Sequence, residues 1–208
     1  MRAAPIGLIP FDRPDEMVAA VRDQGRATHA DPRCSAGAVA VAGGVALALR
    51  PVPLDVAGFL EAVSQWTSTV DHSVGSAVRL LGDLVARPPA EAIGAIADAG
   101  KEAGFDDGWR GISPFVVPSV LWSLYSFLRT PEDYWETICT AIAVGGDVAT
   151  AAMAGALGGA HVGLAGIPAD HARRVNDRGA WTFDDLVRLA GEACQLKRRG
   201  DFGATGGG

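Results

Sequence analysis

The residue types best suited to chemistry gather in Gly145-Gly146-Asp147-Val148-Ala149-Thr150. Two glycines let a backbone come close to a ligand. A carboxylate at the mouth of a following helix can hold a hard cation, which takes oxygen ligands, and the Thr150 hydroxyl three positions on can add another. The same spacing suits a plain helix N-cap at Asp147, so the residues alone leave both roles open.

His29 is the second candidate. It sits in Thr28-His29-Ala30-Asp31-Pro32, a polar joint between two helices, where an imidazole either faces a ligand or bonds a nearby helix end. His72, His161 and His171 read as structural histidines. Asp106 and Asp107 are adjacent in a Gly-rich stretch, whereas a glycosidase pair needs two carboxylates at a defined separation across the substrate; a solvated loop is the reading. Ser113, Ser119 and Ser123 have no evident base partner. Dinucleotide, Walker, zincin and nucleophile-elbow motifs are all absent from the sequence.

Start and stop signals place these residues between helices. Pro14-Asp15-Glu16 opens a helix that ends near Gly25. Asp31-Pro32 is a cap followed by proline in the first turn, launching a helix to about Leu49. Pro51 and Pro53 break it, and Asp55 starts another to about Val70. A helix through Val78, Leu81 and Leu84 stops at Pro88-Pro89, and a short one follows through Ile93 and Ile96. Gly104 to Ser113 is the clearest loop. Pro114 leads an almost wholly apolar helix, Phe115 to Leu128, which must be buried. Thr130-Pro131-Glu132-Asp133 caps the next, which runs into Gly145-Gly146; the helix beyond ends around Gly163 to Pro168. Thr182-Phe183-Asp184-Asp185 has the pattern of a capping box for a last helix to about Arg198. No segment alternates polar and apolar residues, so no sheet is expected.

Two of these helices carry small residues at every fourth position, which share one face. Ala36, Ala40, Gly44 and Ala48 form one stripe; Ala151, Gly155, Gly159 and Gly163 form another. Such stripes permit helix axes to approach closer than the usual 8–10 Å, so both helices are expected in the core.

Composition agrees. With 49% hydrophobic residues in 208, the chain can bury a sizeable core. Few aromatics and much alanine favour close helices over a β-sandwich. A net charge of -6 argues against a nucleic-acid surface, and Lys197-Arg198-Arg199 sits where a last helix should end, complementing its dipole. The apolar run Ala36 to Leu49 falls short of the roughly 20 residues that span a bilayer, so no membrane is expected. Cys34, Cys139 and Cys194 lie far apart in helical stretches and read as buried free thiols in a reducing, cytoplasmic setting.

The Gly-Gly-Asp loop followed by Ala151-Ala152-Met153-Ala154-Gly155-Ala156-Leu157-Gly158-Gly159-Ala160 resembles the metal loop of the ADP-ribosylglycohydrolase family, usually Gly-Gly-Asp-x-Asp-Thr before such a helix. Met1-Arg2-Ala3-Ala4-Pro5-Ile6-Gly7 resembles the family's Met-Arg-x-x-Pro-x-Gly segment, and Thr28-His29 its Thr-His element. Phe115-Val116-Val117-Pro118-Ser119-Val120-Leu121-Trp122 through Ala143-Val144 is similar to its approach to the loop, and Ile167-Pro168 to its exit. The resemblance implies an all-α fold, a compact orthogonal multi-helix bundle with the family's N-terminal part missing. It covers 1–202 as a single domain, with 203–208 as a flexible tail. It implies hydrolysis of an N- or O-glycosidic ADP-ribosyl bond with Mg²⁺ or Mn²⁺, and ADP-ribose or an ADP-ribosylated protein as ligand. Asp147 and Thr150 would be metal ligands; His29, Gly145 and Gly146 would line the ligand site. No catalytic residue is assigned.

Two departures qualify that expectation. Ala149 stands where the family's second Asp belongs, and with the following helix as anchor the loop is one residue short. The family's Thr-Asp-Asp metal motif and Gly-Asn-Gly phosphate loop precede its Met-Arg segment, which here is Met1-Arg2. The expected protein is therefore an impaired or inactive hydrolase with an incomplete metal site. The alternatives are a non-catalytic ADP-ribose-binding or structural protein, or one half of a split enzyme. Helices that would pack on the missing part imply an exposed apolar face, covered by self-association or a partner chain.

Overall fold

A computed structural model describes residues 1–50 and 53–200. Pro51 and the tail expected at 203–208 lie outside the described residues. Secondary structure is helical, and β pairing among the described residues is confined to two isolated bridges, Ile112 with Gly146 and Asn176 with Thr182. The residues fall into two compact units, Met1–Gly163 and a second one beginning at Leu164.

The first unit contains α1 (Ala4–Leu8), α2 (Pro14–Arg26), α3 (Pro32–Ala48), α4 (Val56–Ser68), α5 (His72–Arg79), α6 (Leu81–Leu84), α7 (Pro89–Ala97), α8 (Val116–Arg129), α9 (Tyr134–Ala143) and α10 (Ala149–Val162). The caps expected from sequence form: Asp31, Asp55 and Asp133 each accept a backbone N–H of the first turn of α3, α4 and α9. The helix expected through Val78 to Leu84 is divided at Leu80, where the ladder tightens to i→i−3 bonds: Leu80 N to Ala77 O and Asp83 N to Leu80 O. Short α1 carries too few residues for any periodic signal.

Helices α3 and α8 form the centre. Trp122, Tyr125 and Phe127 of α8 are fully buried, each contributing about 1.5–3 kcal/mol. Their helix can be buried on all sides because its polar atoms find partners. Trp122 Nε1 donates to Ala141 O (3.2 Å), Tyr125 OH to Arg87 O (2.6 Å), and Ser123 Oγ to Ser119 O (2.8 Å) and Thr150 O (3.0 Å). The α3 stripe at Ala36, Ala40, Gly44 and Ala48 is buried as expected. The α10 stripe is not the buried one. Thr150, Met153, Ala154, Leu157 and Gly158 are buried instead, while Ala151, Gly155 and Gly159 are half-buried and Gly163 is exposed at the C-cap. Gly155 still faces α9, where an added Cβ would sit 3.0 Å from Ile138 Cδ1.

His161 confirms its structural reading. Its ring is sealed from solvent, with Nδ1 2.9 Å from Ala48 O and Nε2 3.1 Å from Glu132 Oε1, so one side chain ties the end of α3 to the turn before α9. The second unit holds a 3-10 turn (Leu164–Gly166), α11 (Ala169–Ala172) and α12 (Phe183–Arg199). Its capping box forms as expected: Thr182 N donates to Asp185 Oδ2 (2.9 Å) and Asp185 N to Thr182 Oγ1 (3.4 Å). No residue of α12 is buried. The cysteine expectation needs correction, because Cys194 on α12 is exposed and Cys34 and Cys139 are half-buried. No helix among the described residues is long and apolar enough to cross a membrane.

Candidate functional site

A cleft of about 520 Å³ opens in the first unit between the start of α1, the α2–α3 joint, the N-terminal half of α8 and the start of α10. Its inner wall is apolar, built from Gly37 and Val41 of α3, Phe115, Val116 and Val120 at the start of α8, and Met153. Its polar side chains are Arg2, Gln24, Thr28, His29, Asp31, Ser119 and Asp147.

The joint between α2 and α3 supplies most of that polar rim. Thr28 and His29 follow the last turn of α2, and both their amides bond Gly25 O at 3.0 Å. Arg2 Nη2 donates to Thr28 Oγ1 at 2.8 Å, and the same oxygen lies 2.8 Å from His29 Nδ1. The one proton of the Thr28 hydroxyl has two acceptors, His29 Nδ1 at 2.8 Å and Gly25 O at 3.4 Å; given to the nearer, Nδ1, it leaves the ring proton on Nε2, toward a ligand. Asp31 is already engaged. It accepts Arg33 N at 2.9 Å and the Arg33 guanidinium at 2.7 Å, and these bonds hold its carboxyl below the ordinary range. Arg33 in turn lies over the Phe115 ring, 5.3 Å from its centroid.

The Gly-Gly-Asp loop is fixed by main chain rather than by a ligand. Ile112 N donates to Gly145 O (3.2 Å) and Asp147 N to Ile112 O (2.7 Å), so the loop of 104–113 docks against Gly145–Asp147 as a one-residue parallel bridge. Gly146 adopts φ +98°, and a Cβ there would overlap the Ile112 carbonyl; Gly111, at φ +80°, would likewise collide with the carbonyls of Val144 and Gly145. Asp147 Oδ1 accepts Ala149 N at 3.1 Å, closing a turn at the mouth of α10. The Thr150 hydroxyl is turned back onto Asp147 O at 2.7 Å and is buried.

His29 and Asp147 therefore line one cleft, as does Ala149, whose N–H donates to the Asp147 carboxylate. Gly145, Gly146 and Thr150 do not line it; Gly146 makes room for the Ile112 backbone, Gly145 O accepts Ile112 N, and the threonine secures the turn. Arg2, Asp31 and Phe115 were not singled out from sequence, although Met1-Arg2 and Asp31-Pro32 lay within the motifs that carried the resemblance. Asp107 also departs from expectation. It is not a solvated loop residue, since its Oδ2 meets Lys101 Nζ at 2.7 Å and its side chain is only 18% exposed.

The donors present do not fit a pair of divalent cations. Among the described residues no three of His, Cys, Asp and Glu gather where an ion could be held. The cleft's two carboxylates are Asp31, neutralised by Arg33, and Asp147, half engaged by Ala149 N. A Mg²⁺ ion is ordinarily held by one or two carboxylates with waters and substrate phosphates, and a second ion adds its own demand for anionic oxygens.

The family model described as ADP-ribosylglycohydrolase matches residues 1–201. No curated protein and no solved structure matches the chain.

Proposed function

The chain belongs to the ADP-ribosylglycohydrolase family, and we propose that its cleft binds ADP-ribose, free or attached to a protein side chain. The observation that carries this reading is the convergence of Arg2, Thr28, His29 and Asp147 on one partly apolar cleft inside the segment that the family match covers. The chemistry of the lining suits such a ligand. A guanidinium at Arg2 attracts a diphosphate, and a ring N–H at His29 donates to a phosphate or ribose oxygen. The apolar wall of Phe115, Val116 and Met153 takes the face of a base.

The reaction that this cleft serves, on our reading, is hydrolysis of an N- or O-glycosidic ADP-ribosyl bond, and this chain performs it poorly. Ala149 presents a methyl where the family pattern carries a carboxylate, so one charged group for a cation or an attacking water is absent beside Asp147. Calorimetry with ADP-ribose, with and without Mg²⁺, tests binding. Release of ADP-ribose from a modified protein tests turnover. Binding with little or no Mg²⁺-dependent release is expected. Absence of binding in both conditions overturns the ligand assignment, and vigorous release overturns the impairment.

A further inference from the structure

Lys101 and Asp107 form an ion pair that the cleft does not contain and that the proposed chemistry does not use. Lys101 follows α7, and its side chain is 10% exposed; Asp107 lies in the 104–113 loop at 18%. A lysine and an aspartate so largely withdrawn from water are costly unless they hold each other. Asp107 is further secured by Trp109 N, which donates to its Oδ1 at 3.1 Å. These bonds, with Lys101 first among them, draw its carboxyl down to about 2.

The same loop carries Ile112, whose side chain is fully buried among the core residues. Ile112 O accepts the amide of Asp147 at 2.7 Å and Ile112 N donates to Gly145 O at 3.2 Å, an approach so close that neither Gly111 nor Gly146 could carry a Cβ. From Lys101 to Asp147 the connection therefore runs through the ion pair, the loop backbone from Asp107 to Ile112, and the amide of Asp147.

We infer that Lys101 is a positioning residue for Asp147, acting through Asp107 and Ile112. It fixes the loop of 104–113 against the Gly-Gly-Asp turn and so sets where the Asp147 carboxylate stands in the cleft. Freeing the loop leaves Asp147 with only its local bonds to Ala149 and Thr150, which fix the turn's shape but not its place. The role of Asp147 in the ligand cleft rests on the functional reading above; the linkage itself does not.

Amide hydrogen exchange on the full chain tests the linkage. In Lys101→Met, exchange at Ile112 and Asp147 is expected to accelerate about tenfold or more, while amides of α8 keep their wild-type rates, the signature of local opening. Lys101→Arg restores the pair and is expected to return both amides to wild-type protection. Asp107→Asn removes the charge that Lys101 meets, and should loosen the same two amides if Lys101→Met fails to fold. Unchanged exchange at Asp147 in Lys101→Met, or in Asp107→Asn where the first variant does not fold, overturns the inference. Loss of protection that Lys101→Arg does not rescue does so as well. A parallel titration with ADP-ribose separates the two claims: weakened binding in Lys101→Met, recovered in Lys101→Arg, supports both. Loosened amides with no ADP-ribose binding by the wild type keep the linkage and remove the functional reading.

Discussion

Gly44 of α3 faces Leu157 of α10 so closely that a Cβ on Gly44 would lie 2.7 Å from Leu157 Cδ2, with Phe59 Cζ at 3.2 Å and Leu124 Cδ2 at 3.3 Å. Four helices meet at that point. Gly44→Ala should destabilise the protein by about 1–3 kcal/mol through overpacking, as read by chemical denaturation. Gly94 of α7 is the control, since nothing lies within 4 Å of its Cβ position. Gly94→Ala should stabilise by about 0.4–1 kcal/mol, mainly by restricting the unfolded chain. Equal effects at the two sites would mean that helix propensity, not the α3–α10 contact, governs both.

The two glycines of the Gly-Gly-Asp turn should separate in the same way. Gly145 has φ +74° but open space around its Cβ position, so Gly145→Ala should cost roughly 1–2 kcal/mol for the backbone conformation alone. Gly146→Ala meets the Ile112 backbone as well, and must break the bonds at Gly145 O and Asp147 N, adding roughly 1–3 kcal/mol. Denaturation midpoints that rank Gly145→Ala below Gly146→Ala would contradict the docking of Ile112.

That contrast marks where the sequence was legible. Caps and prolines placed α2, α3, α4, α8, α9 and α12 within a residue or two, because an Asp or Thr side chain and a proline ring act locally. The meeting of His29 and Asp147 was implied by resemblance, and the cleft brings both together. What escaped was non-local. Gly146 looked like a ligand cradle because nothing near it in sequence names Ile112, 34 residues earlier, as its neighbour. Asp107 looked solvated because its partner Lys101 lies across a Gly-rich turn. The half-buried Ala151, Gly155 and Gly159 misled for a related reason: every residue from Ala151 to Ala160 is apolar, so periodicity could not choose the buried face of α10.

Acid should expose the Lys101–Asp107 pair. The Asp107 carboxyl falls from its ordinary 3.8 to about 2 in the folded protein. A depressed carboxylate adds stability that is fully present above its unfolded value and is lost as pH falls through its folded one. The stability gap between wild type and Asp107→Asn should thus stay flat from neutral pH down to about 4, then close toward pH 2, the interval between the two values. A gap that closes between pH 5 and 7 would point to some other titrating group.

In the second unit, Thr182→Ala removes the hydroxyl that accepts Asp185 N and donates to its carboxylate. Loss of such a cap costs about 0.5–2 kcal/mol, and because no residue of α12 is buried, little else holds its first turn. Amides of Asp185 and Leu186 should exchange faster. Unchanged exchange at both would show that the Thr182 hydroxyl does not hold this turn.

Asp147 carries two separable duties, and two substitutions divide them. Its Oδ1 accepts Ala149 N, which an asparagine oxygen can still do, whereas the charge is what a cation or a ligand hydroxyl would use. Asp147→Asn should therefore unfold within about 0.5 kcal/mol of the wild type, while Asp147→Ala, which leaves the first turn of α10 uncapped, should lose about 0.5–2 kcal/mol. Any strengthening of ADP-ribose binding by Mg²⁺ should be weak in the wild type, because the cleft's other carboxylate among the described residues, Asp31, is held by Arg33, and absent from both variants. Addition of a chelator should then leave wild-type binding nearly unchanged. A large chelator effect that Asp147→Asn abolishes would instead assign Asp147 a full metal site, completed by oxygens other than those of the described residues.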